Sequence, residues 1–182
     1  MIDTGANFGH WFLRNHLVTG GRDYIDNDND PSDTVDGRDN NGNGLVDEGA
    51  GHGTHIAGAI ALVAPKASIM PIRAIGSDGE GWSFVVAEAI RDAVDAGASV
   101  INLSLSVPCR SRVLEEALNY AEERGAVVFT AAGNDGVLNP QVFPARYDTA
   151  AGVAATDPAD ARAPFSNYGN AIVSLAAPGT AI

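Results

Sequence analysis

The 182 residues carry 11 basic and 23 acidic side chains, a net charge of -12, which argues against nucleic acid or an anionic membrane surface as a partner and is compatible with cation binding. With 45% hydrophobic and 19% charged residues, the chain is long enough for one domain with a real core and too short to need two. The single cysteine, Cys109, excludes an internal disulfide framework; no apolar run has the length of a membrane-spanning helix, and the N-terminus lacks the basic-then-apolar layout of a signal peptide.

In chain order, Ile2-Asp3-Thr4-Gly5 places a carboxylate at the end of a short apolar segment and before a glycine turn, where a strand of an α/β sheet delivers side chains to its carboxyl edge. Ala6 to Gly20 lacks a sustained period and reads as a loop with at most one helical turn, with His10 and His16 as surface residues. Arg22 to Ile25 reads as a short strand. An acidic insertion over about residues 26–49 follows, with nothing in it to build a core. Within it, Asp39, Asn41, Asn43 and Asp47 occupy loop positions one, three, five and nine with Gly44 at six, the spacing by which EF-hand-like loops wrap Ca²⁺. Ala50 stands at position twelve, where a bidentate glutamate is usual, so Glu48 or the Asp26 to Asp30 cluster would have to supply that carboxylate. The competing reading is a solvated acidic loop.

Gly51-His52-Gly53-Thr54-His55-Ile56-Ala57-Gly58 sets a histidine at a glycine-flanked turn that runs into a helix over Thr54 to Val63, with Ala57, Ile60, Ala61 and Ala64 as its packing face. An imidazole there suits a general base, because its ordinary pKa lies near neutrality. His55, one turn further in, reads as structural. Ala67 to Ala74 reads as a strand and Ser77 to Gly81 as a turn. The next helix has Ser83 as N-cap, a stripe of Val85, Val86, Ala89, Ile90, Ala93, Val94 and Ala96, and Gly97 as its end. Ser99 to Ser106 is a near-continuous apolar strand of the kind buried in parallel sheets. Ser111 caps a helix over Val113 to Arg124 that Gly125 closes, and Ala126 to Ala131 is a strand leading to Ala132-Gly133-Asn134, an amide at a small-residue turn that could donate to an oxyanion. Val153 to Thr156 and Ile172 to Leu175 are two further short strands. The βαβαβ rhythm means a parallel sheet covered by helices, with sites at the carboxyl ends of strands.

D-T-G at Asp3, G-H-G-T-H-x-A-G at His52 and A-A-G-N at Asn134, in this order, resemble the subtilisin-like serine proteases, and the resemblance spans almost the whole chain. Phe165-Ser166-Asn167-Tyr168-Gly169 resembles another signature of that family. The resemblance implies a three-layer α/β fold with a mainly parallel sheet covered by helices on both faces, truncated at both ends, in a single incomplete catalytic domain over 1–182. The family's nucleophile sits in a G-T-S-x-A-x-P motif that follows A-P-G by some twenty residues. Ala177-Pro178-Gly179 matches A-P-G but no such motif follows, so the fragment alone is expected to be inactive.

The resemblance further implies that Asp3 orients His52 and that Asn134 stabilises the oxyanion. Gly79, Glu80 and Gly81 together with Ser104, Leu105 and Ser106 would pair with substrate backbone, beside a pocket flanked by Ala132 and Gly133. It also implies polypeptide substrates, a propeptide in the full-length protein, structural Ca²⁺ and secretion. The alternative is a calcium-dependent binding module, a relative that kept the scaffold without catalysis. An unrelated nucleotide-binding α/β domain is disfavoured, since no glycine-rich phosphate loop follows a strand.

Overall fold

The computed structural model describes residues 1–181; Ile182 lies outside the described residues. The chain forms two compact units, Met1–Gly97 and Ala98–Ile182.

In the first unit, strands β1 (Ile2–Asp3) and β2 (Ile72–Arg73) pair in parallel, Ile2 with Ile72 and Asp3 with Arg73. Both isoleucines are fully buried. Helix α1 (His52–Val63) turns Ala57 and Ala61 into a cluster with Met1, Ala6, Leu13 and Ile69, with Phe12, Leu17, Ile56 and Ile60 packed around it. Small residues on that face let the helix approach closely, and Ala64 is excluded from it as the exposed C-cap. Helix α2 (Ser83–Asp95) buries Val86, Ala87, Ala89, Ile90, Ala93 and Val94 and packs on β1. Its N-cap is Trp82 in an extended conformation, so Ser83 is the first helical residue rather than the cap, and Ala96 is exposed.

The strand expected over Arg22 to Ile25 is reduced to one bridging residue, Asp23, which pairs in parallel with Arg73 of β2. The Asp23 carboxylate accepts the N–H groups of Ile25 and Asp26 at 2.7 and 3.0 Å and folds the segment into a turn. The same carboxylate meets Arg73 at 2.8 Å, and both groups are buried. His10 and His16 are half-buried rather than on the surface, because their rings contact Trp11 and Phe12.

In the second unit, β3 (Val100–Leu103), β4 (Val127–Ala131), β5 (Ala150–Thr156) and β6 (Leu175–Pro178) are parallel neighbours in that order. Helix α3 (Arg112–Glu123) packs on β4 through Leu114, Ala117, Leu118 and Ala121. Burying Leu114 and Leu118 stabilises the unit by about 1.5–3 kcal/mol each. Ser111 caps α3 as expected, its hydroxyl accepting the Leu114 N–H. Ile101, Leu103, Val128 and Thr130 are buried, whereas Val100, Val127 and Leu175 are exposed. The last strand starts later than Ile172, because the Ile172 and Val173 N–H groups both donate to the Gly169 carbonyl and close a turn first.

Candidate active site

Asp3 closes β1 with its side chain 4% exposed, and His52 opens α1 with its side chain 47% exposed. The imidazole Nδ1 and Asp3 Oδ1 are 2.7 Å apart. The same oxygen accepts the Thr4 N–H at 2.8 Å, which fixes the carboxylate. With Nδ1–H donating to Asp3, Nε2 carries the lone pair and can take a proton.

Two features of the local sequence make this contact possible. A Cβ on Gly53 would stand 2.1 Å from the Gly5 carbonyl oxygen and 3.2 Å from Asp3, so only glycine lets the helix start approach β1. The Gly53 N–H donates to Thr4 Oγ1 at 2.9 Å, tying the helix start to the residue beside Asp3. The N-cap itself, Gly51, has no side chain to cap with. Asp33 caps the helix from a distance: its carboxylate accepts the Gly51 N–H at 3.1 Å, the Thr54 N–H at 3.3 Å and the Thr54 hydroxyl at 2.7 Å. The His52 pKa lies above its ordinary 6.5. The hydrogen bond to Asp3 is the main cause; burial opposes it, and the charges of Asp3 and Asp33 add to it.

The sequence reading missed Asp33, since a cap borrowed from 18 residues upstream leaves no local pattern. His55 is exposed on α1 and makes no part of the pair.

In the second unit, Asn134 lies just beyond β4, exposed, in a turn that opens with buried Ala132 and Gly133. Ser104, Leu105 and Ser106 continue past the carboxyl end of β3, with the Leu105 carbonyl accepting the Thr130 hydroxyl at 3.3 Å. Gly79, Glu80 and Gly81 form an exposed turn of the first unit, closed by the Gly79 N–H to the Gly76 carbonyl at 3.0 Å and the Gly76 N–H to the Glu80 carbonyl at 2.8 Å.

The acidic loop is organised from inside. Asp39 Oδ1 accepts the N–H groups of Gly42 and Asn43, and its Oδ2 accepts that of Gly44. Buried Asp78 accepts the backbone N–H groups of Asn40 and Asp47. The amides of Asn41 and Asn43 converge on one oxygen of Glu48, which holds that carboxyl below its usual range, the Asn41 bond being the larger cause. The Asp47 carboxylate accepts the N–H groups of Asp36 and Gly37. Among the described residues no three His, Cys, Asp or Glu side chains converge as a metal site. Any cation here would draw on amide or backbone carbonyl oxygens as well as carboxylates. Asn41 Oδ1 accepts the Asn43 N–H at 3.0 Å and Asn43 Oδ1 accepts the Leu45 N–H at 2.8 Å, so both amides are fixed with their NH2 groups toward Glu48, and a cation would meet only the lone pairs those oxygens have left.

The subtilase (peptidase S8) family description matches residues 1–181. The chain belongs to the subtilase family. This subtilase is 41% identical over 190 residues to thermitase from Thermoactinomyces vulgaris, covering 99% of this chain and 62% of thermitase. It is 40% identical over 192 residues to a thermophilic serine proteinase from Bacillus sp. strain AK1, covering all of this chain and 43% of that protein. Among solved structures, a cold-adapted subtilisin-like serine proteinase superimposes with a TM-score of 0.83 at 30% identity, over all of this chain and 62% of that one. A protease of Pseudoalteromonas arctica PAMC 21717 does so with a TM-score of 0.87 at 31% identity, over 98% and 61%. The chain thus spans less than two thirds of these relatives, and the subtilisin-like α/β fold expected from the motifs is the fold observed.

Proposed function

We propose that this subtilase is a serine endopeptidase whose general base is His52, with Asp3 as its orienting carboxylate. The observation that carries the reading is the 2.7 Å contact between His52 Nδ1 and a buried Asp3, which leaves Nε2 outside that contact on a side chain that is 47% exposed. Nε2 takes the hydroxyl proton of a serine supplied from outside these 182 residues as its oxygen adds to the scissile carbonyl, and then returns the proton to the departing amine. Water repeats the cycle on the acyl-enzyme. Asp3 holds the tautomer and stabilises the imidazolium that forms between the two transfers.

Asn134 donates from its amide to the tetrahedral oxyanion. Gly79, Glu80, Gly81, Ser104, Leu105 and Ser106 offer exposed or half-buried backbone at a turn and past a strand end, which suits extended, unfolded polypeptide. Ala132 and Gly133 flank the pocket for the residue before the cut. Ca²⁺ is a structural ion of the acidic loop, held by Asp39, Asn41, Asn43 and Asp47 with Glu48 as the added carboxylate, and it takes no part in the proton transfers. An extracellular setting follows from the family. The 182 residues alone are expected to be inactive.

The test is hydrolysis of an unfolded polypeptide by the full-length protein, with products sequenced by mass spectrometry. Internal cleavage abolished in His52→Ala supports the reading. A folded full-length protein that cleaves nothing, or cleaves equally well as His52→Ala, contradicts it.

A further inference from the structure

The second unit contains a buried polar side chain that the proton-transfer machinery does not use. Asn167 is fully buried, and all of its side-chain bonds go to the turn that carries Asn134. Its Oδ1 accepts the N–H groups of Asp135 at 3.1 Å and Val137 at 2.9 Å. Its Nδ2 donates to the Ala132 carbonyl at 3.0 Å and to Asp135 Oδ2 at 3.2 Å. The amide orientation is fixed by this pattern, since the reverse would set N–H against N–H. The Asn167 backbone N–H adds a bond to the Gly133 carbonyl at 2.9 Å. The residues bonded by Asn167 therefore lie immediately on both sides of Asn134.

Gly133 shows that the fit leaves no slack. Its φ is +91°, and a Cβ there would stand 2.5 Å from Asn167 Nδ2. On either side of the clamp the Gly136 N–H bonds the Phe165 carbonyl at 2.6 Å, and the Tyr168 N–H bonds the Val137 carbonyl at 3.0 Å. The turn is thereby held along its length against residues 165–168, while Asn134 itself projects exposed.

We propose that Asn167 is the positioning residue of the oxyanion amide: through its bonds to Ala132, Asp135 and Val137 it holds the turn so that Asn134 is presented ready to donate. This rests on the oxyanion reading of Asn134. A turn free to shift would have to be ordered at the moment of reaction, and displacing a donor by about 1 Å can cost on the order of 100-fold in rate. Asn167 contributes no atom to the reacting centre. Its effect is carried entirely by Asn134.

The experiment is a double-mutant cycle in the full-length protein, following peptide hydrolysis. Asn167→Asp keeps the shape and the acceptors but removes the donor to Ala132 and sets a carboxylate against Asp135. It is expected to lower kcat by about 10- to 100-fold. KM should stay within about threefold, as for an interaction made in the transition state. In an Asn134→Ala background the same change should cost less than about twofold, because the two act as one unit. Asp135→Asn added to Asn167→Asp restores a donor and acceptor at that contact and should recover part of kcat. If Asn167→Asp does not fold, Asp135→Ala, at an exposed residue, removes one bond of the clamp and is run through the same cycle, with a smaller loss expected that again vanishes with Asn134→Ala. A loss that persists in full on Asn134→Ala, or no loss in a folded variant, overturns the clamp alone. A wild-type kcat in Asn134→Ala overturns the oxyanion reading and the clamp with it.

Discussion

The two regions that carry the site motifs are held by opposite means. The Asp3–His52 pair is a single short contact between a strand end and a helix start, made possible by a missing Cβ at Gly53 and capped by Asp33 from the acidic insertion. The Asn134 turn has no charge pair at its centre; it is fixed by the neutral amide of Asn167, fully buried and bonded on both sides. The group proposed to change protonation is thus set by charge and left half exposed, whereas the group proposed only to donate is set by a frame of backbone bonds gathered on one buried amide. Charge tunes the first, and geometry the second.

Several substitutions would break or sharpen that contrast. Asp3→Asn in the full-length protein should lower kcat by about 10⁴-fold by allowing the wrong imidazole tautomer, while peptide binding is kept. Asn134→Ala should cost about 100- to 1,000-fold in kcat with an unchanged pH profile. Equal pH shifts in both variants would erase the distinction between a titrating and a non-titrating region.

How much of this was legible beforehand differs between the same two regions. Asp3, His52 and Asn134 could be read because each sits in a short contiguous motif, and the helices could be read from Ser111, Gly97 and Gly125 at their ends. Asp33 could not, and Asn167 is marked by the Phe165 to Gly169 signature without a role, because each acts on residues 18 or more positions away and a side-chain bond across such a distance leaves no local period. The misplaced strand at Ile172 has a similar cause, since the turn onto Gly169 is stabilised by the Asn139 side chain bonding the Ala171 N–H.

Smaller effects test the frame around each region. Gly53→Ala should lower stability by about 1–3 kcal/mol, measured by denaturant unfolding, since the new methyl meets the Gly5 carbonyl. Chelator should lower the unfolding midpoint of the wild type and leave Asp39→Ala unmoved; equal shifts in both would remove calcium from the Asp39 loop. The smallest effect concerns pH. Because the folded pKa of His52 is raised above 6.5, its contribution to stability is fully present below about pH 6.5 and is lost as pH rises through the folded value. The stability gap between wild type and His52→Gln should therefore be wider at pH 5.5 than at pH 9. Asp33→Asn should move the His52 titration slightly downward, which NMR of the imidazole protons reads directly.

The central claim is that His52, poised by Asp3, activates a serine. The most direct measurement is the rate of covalent labelling of the full-length protein by a serine-directed phosphonate as a function of pH, with the labelled residue identified by mass spectrometry. The account expects one labelled serine, a rate that rises with a midpoint above pH 6.5, and loss of labelling in His52→Ala. A well-folded protein that is not labelled, or is labelled equally well as His52→Ala, would contradict it.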